Sequence, residues 1–381
     1  MKKVGIIGAG ISGLFIANLF KRNSNYQITV FEKNHVIDLD EGYGIQLSVN
    51  SVKLLNQIGF DKFKDDRKFN PNKINFYSIK SSNKICDLDI SEFNAQDSKY
   101  TTLKRSDLVD FLKISLKDSI KTNHNISKID QVSQKIKLTF KNNEIFECDY
   151  LIISDGVFSK SKSLISNNQT QPKFNKTLAI RGMVNKSTNI IDKKNISLFL
   201  GSNFHYVIYP LNQNGDFNFI AIMKYELSLD EQKNYSLFSN DNFIKKILVN
   251  VPQESKKFFD QVKELKIFPV FISNNFCKIK NNKIHLIGDA FFAFPPSFAQ
   301  GASQSIEGAY ELFKNIENNT ESEFFKNRVN KTKMVNNRSK FNQFAFHLSS
   351  PITTFIRDIF IKRLVKNRQF LESYLGKIYK N

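Results

Sequence analysis

The 381-residue chain has no tryptophan, only three cysteines and eight prolines, and far fewer acids than bases. Cys86, Cys148 and Cys277 lie far apart with no CxxC pair, which excludes a disulfide framework and a cysteine-ligated zinc site and fits a reducing compartment. No run approaches the roughly 18 apolar residues of a membrane-spanning helix. The start, MKKVGIIGAG, is interrupted by glycine and followed by no small-residue cleavage site, so no signal peptide is expected. His35, His124 and His347 show no metal-ligand spacing with one another or with a carboxylate cluster, and no metal is expected. His285 alternates into a central strand and reads as core. These absences describe a soluble, cytoplasmic protein, long enough for two domains.

What is plentiful is positive charge. Fifty-six Lys and Arg against 36 Asp and Glu leave a net charge of +20. The excess concentrates after Phe324, where thirteen bases face only Asp358 and Glu372. Lys, Asn, Ile and Phe are heavily used along the whole chain, so the excess is first a matter of composition and solvated faces. The aromatics follow core-like patterns and are not interleaved with the basic tail, which argues against nucleic acid.

The N-terminal residues carry a specific motif. Lys2–Ile7 (KKVGII) reads as a buried parallel strand running into Gly8-Ala9-Gly10-Ile11-Ser12-Gly13, then an apolar helix. A second strand, Gln27–Phe31, ends in Glu32-Lys33. This is a βαβ dinucleotide fingerprint: Gly8 for the tight turn, Gly10 for approach to a pyrophosphate, Gly13 for helix–strand packing. Helix N–H groups face the phosphates. Glu32, nineteen residues past Gly13, would accept from an adenosine ribose and disfavour a 2′-phosphate, giving FAD or NAD rather than NADP.

Two further clusters follow. Tyr150–Ile153 is a strand leading to Asp155-Gly156, and Lys283–Ile287 is a strand leading to Gly288-Asp289-Ala290. Pro295-Pro296 then break the chain before Gln300-Gly301-Ala302 opens a helix. With GYGIQLSVNSVKLLNQIGF (Gly42–Phe60), LKRSDL (Leu103–Leu108), Arg181-Gly182, HYVIYPL (His205–Leu211) and FHLSSPITTFIRD (Phe346–Asp358), the chain resembles the FAD-dependent aromatic hydroxylases, class A flavoprotein monooxygenases, most of all their salicylate-hydroxylase-like branch.

The resemblance implies an α/β fold: a Rossmann-type FAD-binding domain with a parallel sheet, an inserted mixed β-sheet substrate domain and a C-terminal helical segment. The FAD domain is expected from 1–72, 100–172 and 273–320, the substrate domain from 73–99 and 173–272, and helices packed on the FAD domain from 321–381. It implies Arg105 near the FAD phosphates or ribityl chain, Asp289 on the ribityl hydroxyls, Asp155-Gly156 serving FAD and the pyridine nucleotide, and Gly44-Ile45-Gln46 flanking the isoalloxazine. The helix start at Gln300–Ala302 would place positive potential beside the flavin, favouring its anionic reduced form. Three departures stand out: Phe291-Phe292 where the family has an imidazole, Lys162 where its DG motif closes with Arg, and Ala299 in place of a turn glycine.

The implied activity is hydroxylation of a small phenolic or aromatic-acid substrate by O2, with NADH or NADPH as transient co-substrate, through a flavin C4a-hydroperoxide. His205 and Tyr209, four apart in a strand, share a face and are the candidate proton-handling pair; packed residues with satisfied polar tips are the alternative. Arg181 would hold a substrate carboxylate or pair on the surface, with Gln46 and Pro295 completing the substrate site. Two other activities fit the same fold: a peripheral-membrane hydroxylase or epoxidase of a lipophilic substrate such as a quinone precursor, and a non-oxygenating flavin-binding protein. A halogenase is excluded, because the tryptophan-bearing motif of those enzymes has no counterpart in a chain without Trp. In the tail, Ile352, Phe355, Ile356, Ile359 and Phe360 form a helical apolar stripe. Docking of this stripe on the FAD domain is favoured over contact with a membrane surface.

Overall fold

The computed structural model describes residues 1–37, 43–132, 134–166, 171–184 and 192–380. Gly42, part of the GYGIQL motif, lies outside the described residues.

The first βαβ unit is β1 (Lys2–Ile7), α1 (Ile11–Lys21) and β2 (Tyr26–Phe31). It seeds a five-stranded parallel sheet ordered β18 (Ile284–Leu286), β12 (Tyr150–Ile153), β1, β2, β8 (Ile120–Lys121). The strands β1 and β12 are apolar without alternation because both faces are covered. On one side lie α1, α3 (Arg105–Ile114) and α9 (Gly301–Glu317). On the other is an antiparallel three-stranded layer, β9 (Ile126–Val132), β10 (Lys135–Phe140) and β11 (Ile145–Cys148). The three motif loops, after β1, β12 and β18, therefore emerge at the carboxyl ends of adjacent parallel strands, where such sheets bind ligands.

A second, seven-stranded sheet is drawn from 73–89 and 173–272. Its order is β17 (Val262–Ile272), β13 (Lys173–Val184), β16 (Phe217–Lys224), β15 (Phe204–Pro210), β14 (Ile196–Gly201), β5 (Lys73–Ser78), β6 (Lys84–Asp89). Among the described residues only β14 and β5 pair in parallel in this sheet, so it is mixed. The hairpin β15–β16 closes through Asn212–Asp216, where Gly215 takes φ +89 and the Asn212 side chain accepts from the Asn214 and Asp216 amides. β17 escapes the sequence pattern because its alternation is weak and Pro269 interrupts it, which suits its place at the sheet edge.

Period two separates the faces of this sheet, but neither is left to solvent. Phe204, Tyr206 and Ile208 face a cluster with Phe243, Ile247, Phe258 and Phe259 from α6 (Asp241–Val249) and α7 (Gln253–Phe259). The shorter helices α4 (Lys160–Ile165) and α5 (Leu229–Lys233) lie before them in the chain. His205, Val207 and Tyr209 face the opposite way, into a cavity.

The tail differs from expectation. Helix α10 (Glu321–Phe346) does pack on α9: buried Arg328 reaches the Gln304 carbonyl at 2.6 Å and Glu307 at 3.0 Å, over Gly308, which has no side chain to obstruct it. After the small helix α8 (Gly288–Phe291) and α9–α10, however, the chain turns onto the seven-stranded sheet. Leu371, Leu375, Ile378 and Tyr379, around α12 (Arg368–Leu371) and α13 (Lys377–Tyr379), join one core with Phe76, Leu88, Leu198 and Tyr209. Helix α11 (Pro351–Leu364) sits beside β6, and its apolar stripe does not dock: Ile352, Phe355 and Phe360 are 71, 67 and 58% exposed. The inward side is instead Arg357, Ile361 and Val365.

The two sheets are joined through a small one, β3 (Gly44–Leu47), β7 (Thr101–Lys104) and β4 (Lys68–Phe69). α2 (Val49–Asn56) follows β3 and is tied to α9 by the Ser48 amide donating to Ser303 Oγ at 2.9 Å. Gly44 N–H donates to the buried Asn218 Oδ1 of β16 at 2.6 Å. A Cβ on Gly44 would lie 2.4 Å from Leu211 and 2.7 Å from Asn218. Asn218→Ala leaves that amide unpaired in a dry contact, and a loss of about 1–3 kcal/mol is expected in urea unfolding; a loss below the error of the measurement would mean the amide finds another partner.

Candidate active site

The glycine turn after β1 is built by contact. Gly8 holds φ +100, and a Cβ there would meet the Ser154 carbonyl at 2.6 Å. A Cβ on Gly13 would come within 2.1 Å of the Gly8 carbonyl, so α1 can lie this close to β1 only without one. Around Gly10, by contrast, nothing lies within 4 Å of the missing Cβ, leaving the backbone open for a ligand. Glu32 ends β2 with Oε2 accepting from Ala9 N–H at 3.0 Å and Oε1 from Asn34 N–H at 3.1 Å. Its carboxylate is thereby fixed beside the turn, whereas Lys33 is exposed.

The other motif loops converge on the same edge. Gly288, at φ +59, packs where a Cβ would touch Ser12 Oγ at 2.5 Å. Asp289 is exposed into the cavity that it lines; the protein crowded around it raises its carboxyl above the usual range, opposed by the Arg105 guanidinium. Ala290 is fully buried behind it. Asp155 Oδ2 caps Ser161 N–H at 3.0 Å while its buried Oδ1 has no protein partner. Gly156 takes φ +83 with open space beside it. Gln300 precedes α9 with its side chain buried and Nε2 unpartnered, and Gly301 has nothing within 4 Å of its missing Cβ. Ala299 takes φ +51, a conformation costing an L-residue about 1–2 kcal/mol, which is where a glycine would relieve the turn.

Two expectations change. Lys162 does not present its charge to a phosphate: it is buried, its Nζ lies 3.4 Å from the Ala290 carbonyl, and burial lowers its pKa. Pro295 is buried behind the turn, and Pro296 takes the lining position. Phe291 and Phe292 are core residues, Phe292 stacking on Phe276 at 4.4 Å.

A cavity of about 460 Å3 runs from Gly44-Ile45-Gln46, Asp289 and Gly301-Ala302 to the inner face of the seven-stranded sheet. Its walls are mostly Ile, Leu, Val and Phe, with Phe341, Phe346, Ile361 and Val365 contributed by the tail. Polar groups gather near β3. Tyr100 OH donates to Gln46 Oε1 at 2.8 Å. Arg181 lies over the Tyr43 ring at 5.6 Å, and no ion pair engages it among the described residues. Burial raises the Tyr209 phenol well above its ordinary value, with Arg181, Gln46 and Asn218 acting in opposition.

His205 lies further along β15 in the same cavity, its Nδ1 2.8 Å from His347 Nε2. Burial, reinforced by His347, holds His205 well below its ordinary value, and burial brings His347 down to about 4. The pair is therefore neutral at pH 7. His347, Tyr100 and Asn218 were invisible as site residues in the sequence, because each reaches the site only through a distant element. Among the described residues no helix is long and apolar enough to cross a membrane, and no group of three or more His, Cys, Asp or Glu could hold a metal ion.

Against this geometry the relationships are clear. The chain belongs to the family defined by the FAD binding domain, whose model matches residues 1–321, and it is an FAD-dependent monooxygenase. It is similar to a salicylate hydroxylase of Pseudomonas putida, 22% identical over 81% of this chain and 76% of the relative. It is also similar to a 3-amino-4-hydroxybenzoate 2-monooxygenase of Streptomyces platensis, 22% identical over 81% of this chain and 78% of the relative. The fold matches that of Klebsiella pneumoniae HpxO complexed with FAD and uric acid, with a TM-score of 0.84 at 16% identity over 99% of this chain and 96% of that one. The residues present fit FAD: open backbone at Gly10 and Gly301, a fixed carboxylate at Glu32, and unpartnered polar atoms on Asp155 and Gln300.

The buried histidines set a pH limit on the fold. His285 and His347 both drop from 6.5 to about 4 on burial, so the unfolded chain takes up their protons first as pH falls. Their neutral burial costs nothing above pH 6.5 and subtracts stability between 6.5 and about 4. His285→Leu should flatten that acid limb of a Tm–pH profile, by roughly 3 kcal/mol at pH 4; an unchanged slope would place its titration elsewhere.

Proposed function

We propose that this protein uses NADH or NADPH and O2 to hydroxylate a small aromatic substrate, phenolic or carboxylated, in the cavity between Gln46 and the seven-stranded sheet. The observation that carries this reading is that Arg181, Tyr209 and Gln46 lie together at one end of a cavity whose walls are mostly apolar. A planar apolar ring suits such walls, and a few convergent polar groups orient it. The names of the salicylate and aminohydroxybenzoate relatives agree with an aromatic acid.

FAD, when bound, supplies the redox chemistry and the activation of O2. The protein's residues position it. Gly8, Gly10, Ser12 and Gly13 would receive the pyrophosphate, with Glu32 and Lys33 at the adenosine end. Arg105, Asp155, Gly156, Gly288, Asp289 and Ala290 would border the phosphates and ribityl chain. Gly44, Ile45, Gln300, Gly301 and Ala302 would frame the ring system, the α9 N–H groups facing its electron-rich edge. The seven-stranded sheet serves as the substrate domain.

On the substrate side, Arg181 offers a charge to a carboxylate. Tyr209 keeps its proton, because burial disfavours its phenolate, and so donates a hydrogen bond to a substrate oxygen and stabilises charge there. His205 is neutral and brings no charge to the substrate, its ring held by His347. The apolar walls keep water from the reacting ring.

Arg181→Met should weaken binding of aromatic acids about 10- to 100-fold and leave neutral phenols within about twofold. Tyr209→Phe should lower kcat about 10- to 100-fold with the substrate Kd little changed. Product analysis with labelled O2 reads the reaction itself; equal losses for acids and phenols in Arg181→Met would remove Arg181 from the substrate's carboxylate.

A further inference from the structure

The exposed large apolar side chains of this molecule are mostly isolated, as on ordinary surfaces. One stretch is different. Phe341 and Phe344 in the last turns of α10, then Ile352, Phe355, Ile356 and Phe360 on α11, are all exposed within twenty residues. The residues of α11, with Val365 just after it, divide around its axis, Ile359 of the stripe being half-buried. Arg357, Ile361, Leu364 and Val365 turn inward, and Leu364 and Val365 line the cavity. The stripe lies on the opposite side, and Arg363 and Lys366 continue it by one turn.

Charge singles out what such a face would meet. Lys340, Lys362, Arg363, Lys366 and Arg368 are exposed around it. The two acids of the tail are already engaged, Asp358 by Arg357 at 2.8 Å and Glu372 by Lys380 at 2.7 Å. On β6, which packs against α11, Asp87 is paired with Lys73 and Lys84 and Asp89 accepts from Ser91, so the region presents bare apolar side chains bordered by more cations than acids. A second copy of this chain would bring the same cations against themselves, whereas an anionic lipid surface supplies both an apolar layer and the opposite charge. Phe341 is more than half exposed and also lines the cavity, so the cavity reaches the surface beside this face.

We infer that α11 and the end of α10 form an interfacial face that seats the protein on anionic lipid, with the mouth of the cavity turned toward the bilayer. Phe355, Ile356 and Phe360 enter the acyl boundary and the surrounding Lys and Arg lie among the headgroups. The inference is independent of which aromatic the cavity takes, and it adds a route by which a substrate dissolved in lipid enters without crossing water.

The test is flotation of the full-length, FAD-loaded protein with phosphatidylcholine vesicles and with phosphatidylcholine–phosphatidylglycerol vesicles. Partition onto the anionic vesicles should be at least about tenfold greater at low salt and fall about tenfold at high salt. Phe355→Ser/Phe360→Ser should lose at least about tenfold on anionic vesicles while keeping its flavin absorbance and Tm, since both side chains are exposed. Lys362→Glu/Arg363→Glu should remove the preference for anionic lipid. No partition at low salt, or equal partition onto both vesicles, overturns the inference. So does a dimer in sedimentation that the Phe355→Ser/Phe360→Ser variant converts to monomer, which would make a second copy the occupant.

Discussion

The geometry of the cavity hangs on one close approach. Where β3 crosses the end of β16, Gly44 has no room for a side chain against Leu211 and Asn218, and its amide is bonded to the Asn218 carboxamide. That contact sets the distance between the segment proposed to border the flavin and the sheet proposed to wall the substrate. Gln46, two residues along the same short strand, is thereby brought to Tyr100 and Tyr209. A polar side chain in β16 thus does its structural work through a neighbouring sheet. Loosening it would widen the cavity at the end where Arg181, Gln46 and Tyr209 lie together.

The geometry of the motif turns was legible in the sequence because the residues that build them act locally. Gly8, Gly10 and Gly13 are demanded by one turn, and Glu32 follows at the end of the next strand, so spacing alone carries the reading. Gly288-Asp289 and Gln300–Ala302 are legible for the same reason, each joining a strand or turn to a helix start. His205 and Tyr209 could be placed on one face from period two. What could not be read were the partners that arrive from elsewhere: His347 at the end of α10, Tyr100 before β7, and Asn218 across the hairpin. Lys162 shows the reverse error, since matching a motif position says nothing of burial, and here the side chain is buried with its Nζ turned to the Ala290 carbonyl.

The tail shows how a correct pattern can lead to the wrong surface. The apolar stripe of α11 is real in the sequence, and docking is the usual fate of such a stripe. In the structure the helix is anchored instead through its mixed face, with Arg357 and Asp358 paired beside Ile361 and Val365. Hydrophobic periodicity identifies a face; only the surrounding packing says which face the core takes. The same helix contributes to the cavity wall, so the tail that was expected beside the FAD domain also lines the cavity.

The central claim is that an aromatic ring in this chamber and the flavin form one working unit. Its most direct test is anaerobic rapid mixing of the FAD-loaded protein with NADH or NADPH, across a panel of phenols and aromatic acids. The account predicts that one substrate class accelerates flavin reduction at least about tenfold, corresponding to about 1.4 kcal/mol of barrier, with one coenzyme preferred. Equally fast reduction without any aromatic would contradict substrate-gated hydroxylation, and no reduction by either coenzyme would contradict the monooxygenase reaction proposed for this cavity.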